Sequence, residues 1–145
     1  MKTIQVLIVD DCAVTRKLVQ SALCRAPLTA SLLVPGHGGQ RGAIRVEVKA
    51  LAAANAAEAI DIMNQNQIDL IFSDINMPGM DGLQFLRQVR GAANTRNIPV
   101  VMITADGSAS RVTEAATQGA TGYLKKPFGA QEVRERTEQI LALGV

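Results

Sequence analysis

The chain has 145 residues, of which 48% are hydrophobic, a length that suits one domain with a buried core. Its 15 basic and 13 acidic residues are spread along the chain and leave a net charge of +2, so no run of like charge points to nucleic acid. No apolar stretch approaches the roughly 20 residues needed to cross a bilayer. We therefore expect a single cytoplasmic domain over residues 1–145 that neither binds nucleic acid nor inserts into a membrane.

Five apolar or alternating runs predict β-strands, and five amphipathic stretches predict helices. In chain order, the predicted elements are a strand at 4–9, a helix at about 13–25, a strand at 45–49, a helix from Asn55, a strand at 68–73, a helix near 83–90, a strand at 99–103, a helix near 112–119, a strand at 122–125 and a helix from about Gln131. This alternation is typical of a parallel sheet with helices on both faces. The predicted fold class is therefore α/β.

The sequence of the first helix predicts which of its residues face the core, whereas the segment after it shows no regular pattern. Val14, Leu18 and Ala22 lie on one stripe of the helix and are expected to face the core. Residues 27–43 contain several Pro and Gly residues and fit no regular pattern. An irregular connection longer than about 12 to 15 residues is unusual in a compact domain. We predict an extended connection there, whose role the sequence does not indicate.

Four of the five predicted strands are followed by chemically capable side chains. These are Asp10 and Asp11 after the first strand, Asp74 after the third, Thr104 after the fourth and Lys126 after the fifth. Because the carboxyl ends of parallel strands meet at one edge of a sheet, we expect these groups to share a pocket. Three carboxylates in one pocket repel one another and require a cation. Hard oxygen ligands with open coordination positions favour Mg²⁺.

An aspartate in such a pocket can accept a phosphoryl group, because a carboxylate is able to act as the nucleophile. Asp74 is the predicted acceptor, since it ends a central apolar strand and precedes a loop. The acidic pair would then hold the metal, Lys126 would face the phosphoryl oxygens, and the Thr104 hydroxyl would donate to one of them. The charges of three aspartates, one lysine and Mg²⁺ (−3, +1 and +2) sum to zero, so the pocket could admit an anion.

Four motifs in register carry a resemblance to a known family. They are Val9-Asp10-Asp11, the segment 74–82, Ile103-Thr104-Ala105 and the segment 122–128. With these motifs the chain resembles the receiver domains of bacterial two-component response regulators, and among them the single-domain chemotaxis type. The resemblance covers nearly the whole chain. It implies a flavodoxin-like, doubly wound sheet of five parallel strands in the order 2-1-3-4-5, flanked by five helices.

The resemblance also implies roles for particular residues. The metal ligands would be Asp11, Asp74 and the main-chain carbonyl of Asn76, with Asp10 helping through water. Thr104 and Tyr123 would be switch residues that move when Asp74 is modified. Asn76 and Asp106 occupy positions that set the dephosphorylation rate, and an amide and a carboxylate there imply a short-lived signal.

By the same resemblance, the phosphodonor is a histidine kinase or a histidine phosphotransfer protein. The output is contact with a downstream protein, because no output domain follows the last predicted helix. The chain would catalyse its own phosphorylation and dephosphorylation rather than act as an enzyme on other substrates. A monomer and a phosphorylation-dependent dimer both remain open.

Two other functions are compatible with an acidic pocket. The first is a phosphohydrolase with an aspartyl-phosphate intermediate. Such enzymes usually place a second aspartate two residues after the nucleophile, where this chain has Asn76, and they need a substrate cap domain. The second is an interaction scaffold that acts without phosphorylation. The intact acidic pair, acceptor, hydroxyl and lysine argue against it.

Overall fold

The computed structural model describes residues 2–33, 41–77, 79–105 and 109–144. Its strands are β1 (Lys2–Val9), β2 (Leu28–Leu33), β3 (Arg41–Ala53), β4 (Leu70–Asp74), β5 (Val100–Thr104) and β6 (Gly122–Lys125). Its helices are α1 (Ala13–Cys24), α2 (Ala56–Gln65), α3 (Gly82–Gly91), α4 (Ala109–Thr117) and α5 (Ala130–Gly144). Among these described helices, none combines the length and the apolar character needed to cross a membrane.

The described strands form one six-stranded sheet in the order β2-β3-β1-β4-β5-β6. The pairs β1 with β3, β1 with β4, β4 with β5 and β5 with β6 are parallel. Strand β2 pairs antiparallel with β3 and lies at the edge. The predicted α/β class and the predicted order of five parallel strands are therefore confirmed. The predicted number of strands is wrong, because a sixth strand extends the sheet.

The sixth strand lies in the segment predicted to be an irregular connection. β2 occupies residues 28–33 of that segment, and β3 already begins at Arg41, so strand residues occupy both of its ends. Residues 34–40 fall outside the described part of the chain. The prediction missed the alternation of apolar and polar side chains over residues 28–32, which form a short strand whose pairing depends on tertiary contacts.

Strand β2 is held by α5 as well as by β3. Leu28 and Ala30 are fully buried in the same core cluster as Ile140 of α5. The main-chain N–H of Thr29 donates a hydrogen bond of 2.7 Å to the carboxylate of Glu138 in α5. Unpaired N–H groups on an edge strand can recruit another strand. The Glu138 contact therefore anchors β2 and also covers part of the exposed edge.

Helices cover both faces of the sheet. Ile4 and Ile8 of β1 belong to the core cluster that includes side chains of α1 and α5. Leu7 and Val9 point to the opposite face and belong to the cluster with side chains of α2, α3 and α4. Because successive side chains of a strand alternate between faces, the apolar sequence of β1 supplies both cores. The strand is thereby fixed in the middle of the sheet, where its carboxyl end can carry polar groups.

The inner face of α1 differs from the prediction. Ala22 is buried as predicted, whereas Val14 is 76% exposed and Leu18 is half-buried. Val19 and Leu23 are buried instead. The first turn of α1 lies at the carboxyl edge of the sheet, so Val14 has less sheet surface to pack against than residues further along the helix.

The loop after β4 returns closely to the end of that strand. The main-chain N–H of Gly82, the first residue of α3, donates a hydrogen bond of 2.6 Å to the carbonyl of Ile75. A Cβ atom at residue 82 would overlap the main-chain carbonyl oxygen of Asp74. Asp81 caps the same helix by accepting a 2.9 Å bond from the N–H of Gln84. The start of α3 is therefore fixed against the residue that ends β4.

Gly82→Ala is expected to lower the free energy of unfolding by about 1–3 kcal/mol, because the added methyl group must push α3 away from β4. Gly91→Ala is the matched control at the other end of α3. Apart from its chain neighbours and the backbone of α3 itself, no described atom lies within 4 Å of its Cβ position, and alanine is favoured over glycine in a helix. Urea unfolding of both variants measures the difference. Wild-type stability of Gly82→Ala would contradict the close approach.

Candidate functional site

The carboxyl ends of the parallel strands bring together the polar side chains singled out in the sequence. Carboxylate oxygens of Asp10, Asp11 and Asp74 lie within 4.8 Å of one another. The Nζ atom of Lys126 lies 3.3 Å from an oxygen of Asp10 and 3.3 Å from an oxygen of Asp74. The ends of β1, β4 and β6 thus contribute to one charged cluster, which we call the acidic site.

Burial is uneven across the acidic site. Asp10 is fully buried, Asp74 is 5% exposed and Thr104 is 2% exposed. The side chain of Lys126 is 26% exposed, and Asp11 is exposed. The site is therefore closed on the side of the sheet and open to solvent beside Asp11, where a ligand could enter.

The carboxylate of Asp10 is only partly satisfied. Its Oδ1 atom accepts a hydrogen bond of 2.8 Å from the main-chain N–H of Cys12. Its buried Oδ2 atom forms an ion pair with Lys126 at 3.3 Å but has no well-aligned hydrogen bond among the described residues. A buried carboxylate oxygen without a hydrogen bond is costly. A bound cation would supply the missing partner.

The charges of the acidic site are strongly coupled. Burial raises the pKa of the Asp10 carboxyl, and the charge of Asp74 raises it further, against the opposing effects of the Cys12 hydrogen bond and Lys126. Burial alone would lower the pKa of Lys126, but the charges of Asp10 and Asp74 outweigh it and raise that pKa. Lys126 is therefore charged at neutral pH. With all three aspartates ionised, the sum of −3 and +1 leaves two negative charges for a cation to neutralise.

Local bonds orient the carboxylate of Asp74. Its Oδ1 atom accepts a 3.1 Å hydrogen bond from the main-chain N–H of Asn76, and its Oδ2 atom accepts a 3.3 Å bond from Lys126. The N–H of Ile75 donates to the carbonyl of Ile103 at 2.9 Å, which ties the chain just after β4 to β5. Asn76 itself is exposed beside the cluster. The Asp74 side chain is thus held from both sides in a fixed position.

Thr104 and Tyr123 lie on the neighbouring strands. The main-chain carbonyl of Thr104 accepts a 2.8 Å hydrogen bond from the N–H of Lys126, which joins the ends of β5 and β6. Tyr123 is half-buried, and its hydroxyl donates a 3.1 Å bond to the carbonyl of Val112 in α4. Burial raises the pKa of the Tyr123 hydroxyl. Asp106, the other residue predicted to influence dephosphorylation, lies outside the described residues.

Sequence reasoning missed Arg16, which also contacts the acidic site. Its Nη1 atom donates a hydrogen bond of 2.7 Å to the main-chain carbonyl of Asp10. The available signal was its place near the start of α1, since a positive charge is unfavourable at a helix N-terminus. That signal alone does not identify the atom that Arg16 contacts.

The donor set of the acidic site fits a hard divalent cation. Asp10, Asp11 and Asp74 supply carboxylate oxygens, and the exposed side leaves room for water ligands. Mg²⁺ is commonly bound in proteins by one or two carboxylates together with several waters. These three residues could therefore hold a metal ion.

Known proteins are similar to this chain in both sequence and structure. The family model for the response regulator receiver domain matches residues 42–138. The chemotaxis protein CheY of Pseudomonas aeruginosa is 36% identical over 115 residues, which cover 75% of this chain and 93% of that protein. The chemotaxis protein CheY4 of Vibrio cholerae has a similar structure, with a TM-score of 0.71 and 31% identity over 96% of this chain and 98% of that chain. The receiver domain of NtrX from Brucella abortus gives a TM-score of 0.75 and 27% identity over 96% of this chain and 99% of that chain.

The chain belongs to the response regulator receiver domain family, as its motifs predicted. It is a signalling domain of two-component systems, similar to the CheY type of chemotaxis regulator. The matched range begins in β3, so it does not include β1 or its acidic pair. The structure brings that pair to Asp74 across the β1 and β4 pairing.

Mg²⁺ is expected to raise the melting temperature of the protein, because it relieves the repulsion within the acidic site. At a concentration about 100 times the Kd, binding adds about 2.7 kcal/mol to the free energy of unfolding. Asp11→Asn should reduce this gain, since it removes an exposed ligand. Asp61→Asn, which alters an exposed carboxylate on α2, is the matched control and should retain it. Equal gains in all three proteins would contradict the metal site.

Asp10→Asn is expected to stabilise the metal-free protein at neutral pH. A carboxyl group whose pKa is raised by folding favours the folded state at low pH, and this contribution is lost as the pH rises through the raised value. Asparagine at residue 10 carries no carboxyl that ionises, so it does not lose this stability as the pH rises. Its side-chain oxygen can still accept the hydrogen bond from the N–H of Cys12. The gain in the free energy of unfolding over wild type should shrink as the pH falls towards 3.8, the ordinary pKa of an aspartate carboxyl. Urea unfolding in chelator at several pH values tests this, and a gain that grows on acidification would contradict it.

Proposed function

We propose that Asp74 accepts a phosphoryl group in a Mg²⁺-dependent reaction, from a phosphohistidine of a histidine kinase or histidine phosphotransfer protein. The observation that carries the proposal is the position of the Asp74 carboxylate, between Lys126 and the acidic pair Asp10 and Asp11. The domain catalyses its own phosphorylation and dephosphorylation. Kinases that use ATP supply such donors, so we propose a cytoplasmic location.

In the transfer step, a carboxylate oxygen of Asp74 attacks the phosphorus in line, and the bond from phosphorus to the donor imidazole nitrogen breaks. Lys126 stabilises the charge on the equatorial oxygens, and the Thr104 hydroxyl donates to one of them. When bound, Mg²⁺ would supply positive charge that offsets the charge of the carboxylates and of the transferring group. The residues that would hold it are Asp10, Asp11, Asp74 and the main-chain carbonyl of Asn76.

Thr104 and Tyr123 form the proposed switch. The hydrogen bond between the ends of β5 and β6 links Thr104 to the strand that carries Tyr123. The hydroxyl of Tyr123 contacts α4 through the carbonyl of Val112. A displacement of Thr104 can therefore reach the surface formed by α4, β6 and α5, which we propose as the contact surface for a downstream protein.

The phosphorylated state is proposed to be short-lived. Asn76 is exposed directly beside Asp74, where an attacking water has access, and it would act together with Asp106. Decay of the phosphorylated form over many hours would contradict a short-lived signal. The family match favours this receiver function over a phosphohydrolase, and the intact acidic site favours it over a scaffold that acts without phosphorylation.

Incubation with a radiolabelled histidine phosphotransfer protein and Mg²⁺ tests the acceptor. Label is expected to pass to the wild type and not to Asp74→Asn, and hydroxylamine should release it because the product is an acyl phosphate. Asp69→Asn, which changes the carboxylate just before the other end of β4, is the matched control and should be labelled. Lys126→Ala is expected to slow transfer about a hundredfold, because it removes a charge from the transferring group. Hydroxylamine-stable label, or label on Asp74→Asn, would contradict the assignment.

A further inference from the structure

Arg16 contacts the acidic site through the main chain and not through a carboxylate. Its half-buried side chain donates a 2.7 Å hydrogen bond from Nη1 to the carbonyl oxygen of Asp10. That carbonyl belongs to the peptide unit between Asp10 and Asp11. Because a peptide unit is planar and includes both flanking Cα atoms, fixing its carbonyl restricts the directions of both aspartate side chains.

The position of Arg16 is not explained by the stability of α1. It is the fourth residue of the helix, close to the N-terminus, where a positive charge is unfavourable. The first turn has no acidic residue, and the N-cap residue Cys12 makes no side-chain capping hydrogen bond within the described part of the chain. The contact with Asp10 is therefore the interaction that favours an arginine at this position.

We propose that Arg16 is a positioning residue, which holds the peptide between Asp10 and Asp11 so that both carboxylates face a divalent cation. This inference rests on the proposed function, since it assigns Mg²⁺ to the acidic site. It adds a residue whose side chain bonds to the main chain of the acidic site and not to a carboxylate. Outer residues that orient metal ligands commonly alter metal affinity about 10- to 100-fold.

Arg16 and Lys126 should act on Mg²⁺ in opposite directions. Lys126 lies 3.3 Å from carboxylate oxygens of both Asp10 and Asp74, so it competes with the metal for them. Arg16 bonds to a carbonyl and leaves the carboxylate oxygens free. If charge alone mattered, removing the positive side chain of either Arg16 or Lys126 would strengthen Mg²⁺ binding, because each one repels the metal ion. If Arg16 positions the ligands, its loss weakens binding although a repelling charge has been removed.

Calorimetric titration of Mg²⁺ into the full chain separates these effects. We expect Lys126→Ala to bind Mg²⁺ more tightly than wild type and Arg16→Ala to bind it about tenfold more weakly. Lys17→Ala removes the next, exposed cation of α1 and should bind as wild type does. Arg16→Lys keeps the charge but not the reach of the guanidinium, so intermediate affinity is expected. Melting in chelator shows whether Arg16→Ala remains folded.

The outcomes distinguish the inference from the proposed function. If wild type binds Mg²⁺ and folded Arg16→Ala binds it equally well or more tightly, the positioning role of Arg16 is overturned. The metal site itself then stands. Failure of wild type to bind Mg²⁺ overturns the metal site and this role together. If Arg16→Ala does not fold, wild-type affinity in Arg16→Lys indicates that charge alone matters and also overturns the proposal.

Discussion

Repulsion among the carboxylates of Asp10, Asp11 and Asp74 is the interaction on which the acidic site depends. Lys126 offsets one of the three charges, and its own pKa is raised because it lies between two of them. Burial of Asp10 increases the cost of the remaining negative charge. The folded metal-free site is therefore held against an electrostatic cost, and a divalent cation can relieve it. Ligand binding and stability are linked by the same charges.

The scaffold resists this repulsion because the charged residues end strands that are buried on both faces. β1 contributes to both core clusters, so its end cannot move without disturbing both. β4 is held between its ladders to β1 and β5, and the close approach of Gly82 fixes its carboxyl end. A rigid platform of this kind keeps Asp74 in place while Asn76 in the adjoining loop stays exposed.

The family resemblance implied the strand order, whereas one physical reason predicted the grouping of most residues of the acidic site. In a parallel sheet the carboxyl ends lie at one edge, so Asp74 and Lys126 become neighbours although 52 positions separate them. The strand β2 was missed although residues 28–32 alternate between apolar and polar, because its place in the sheet also depends on α5, about a hundred residues further along the chain. Arg16 was missed because it contacts a main-chain carbonyl, an acceptor that every residue carries. The prediction placed Val14 of α1 in the core, although it is exposed. The spacing of apolar residues in a helix does not indicate where the neighbouring sheet ends.

Tyr123 gives the domain a built-in optical reporter. The chain has one tyrosine and no tryptophan, so its phenol emission comes from this single residue. Phenol emission responds to the hydrogen bonding of the hydroxyl, which here donates to the carbonyl of Val112. Rearrangement between β6 and α4 can therefore be followed in unlabelled protein, in real time and without a reporter dye that would alter the surface under observation.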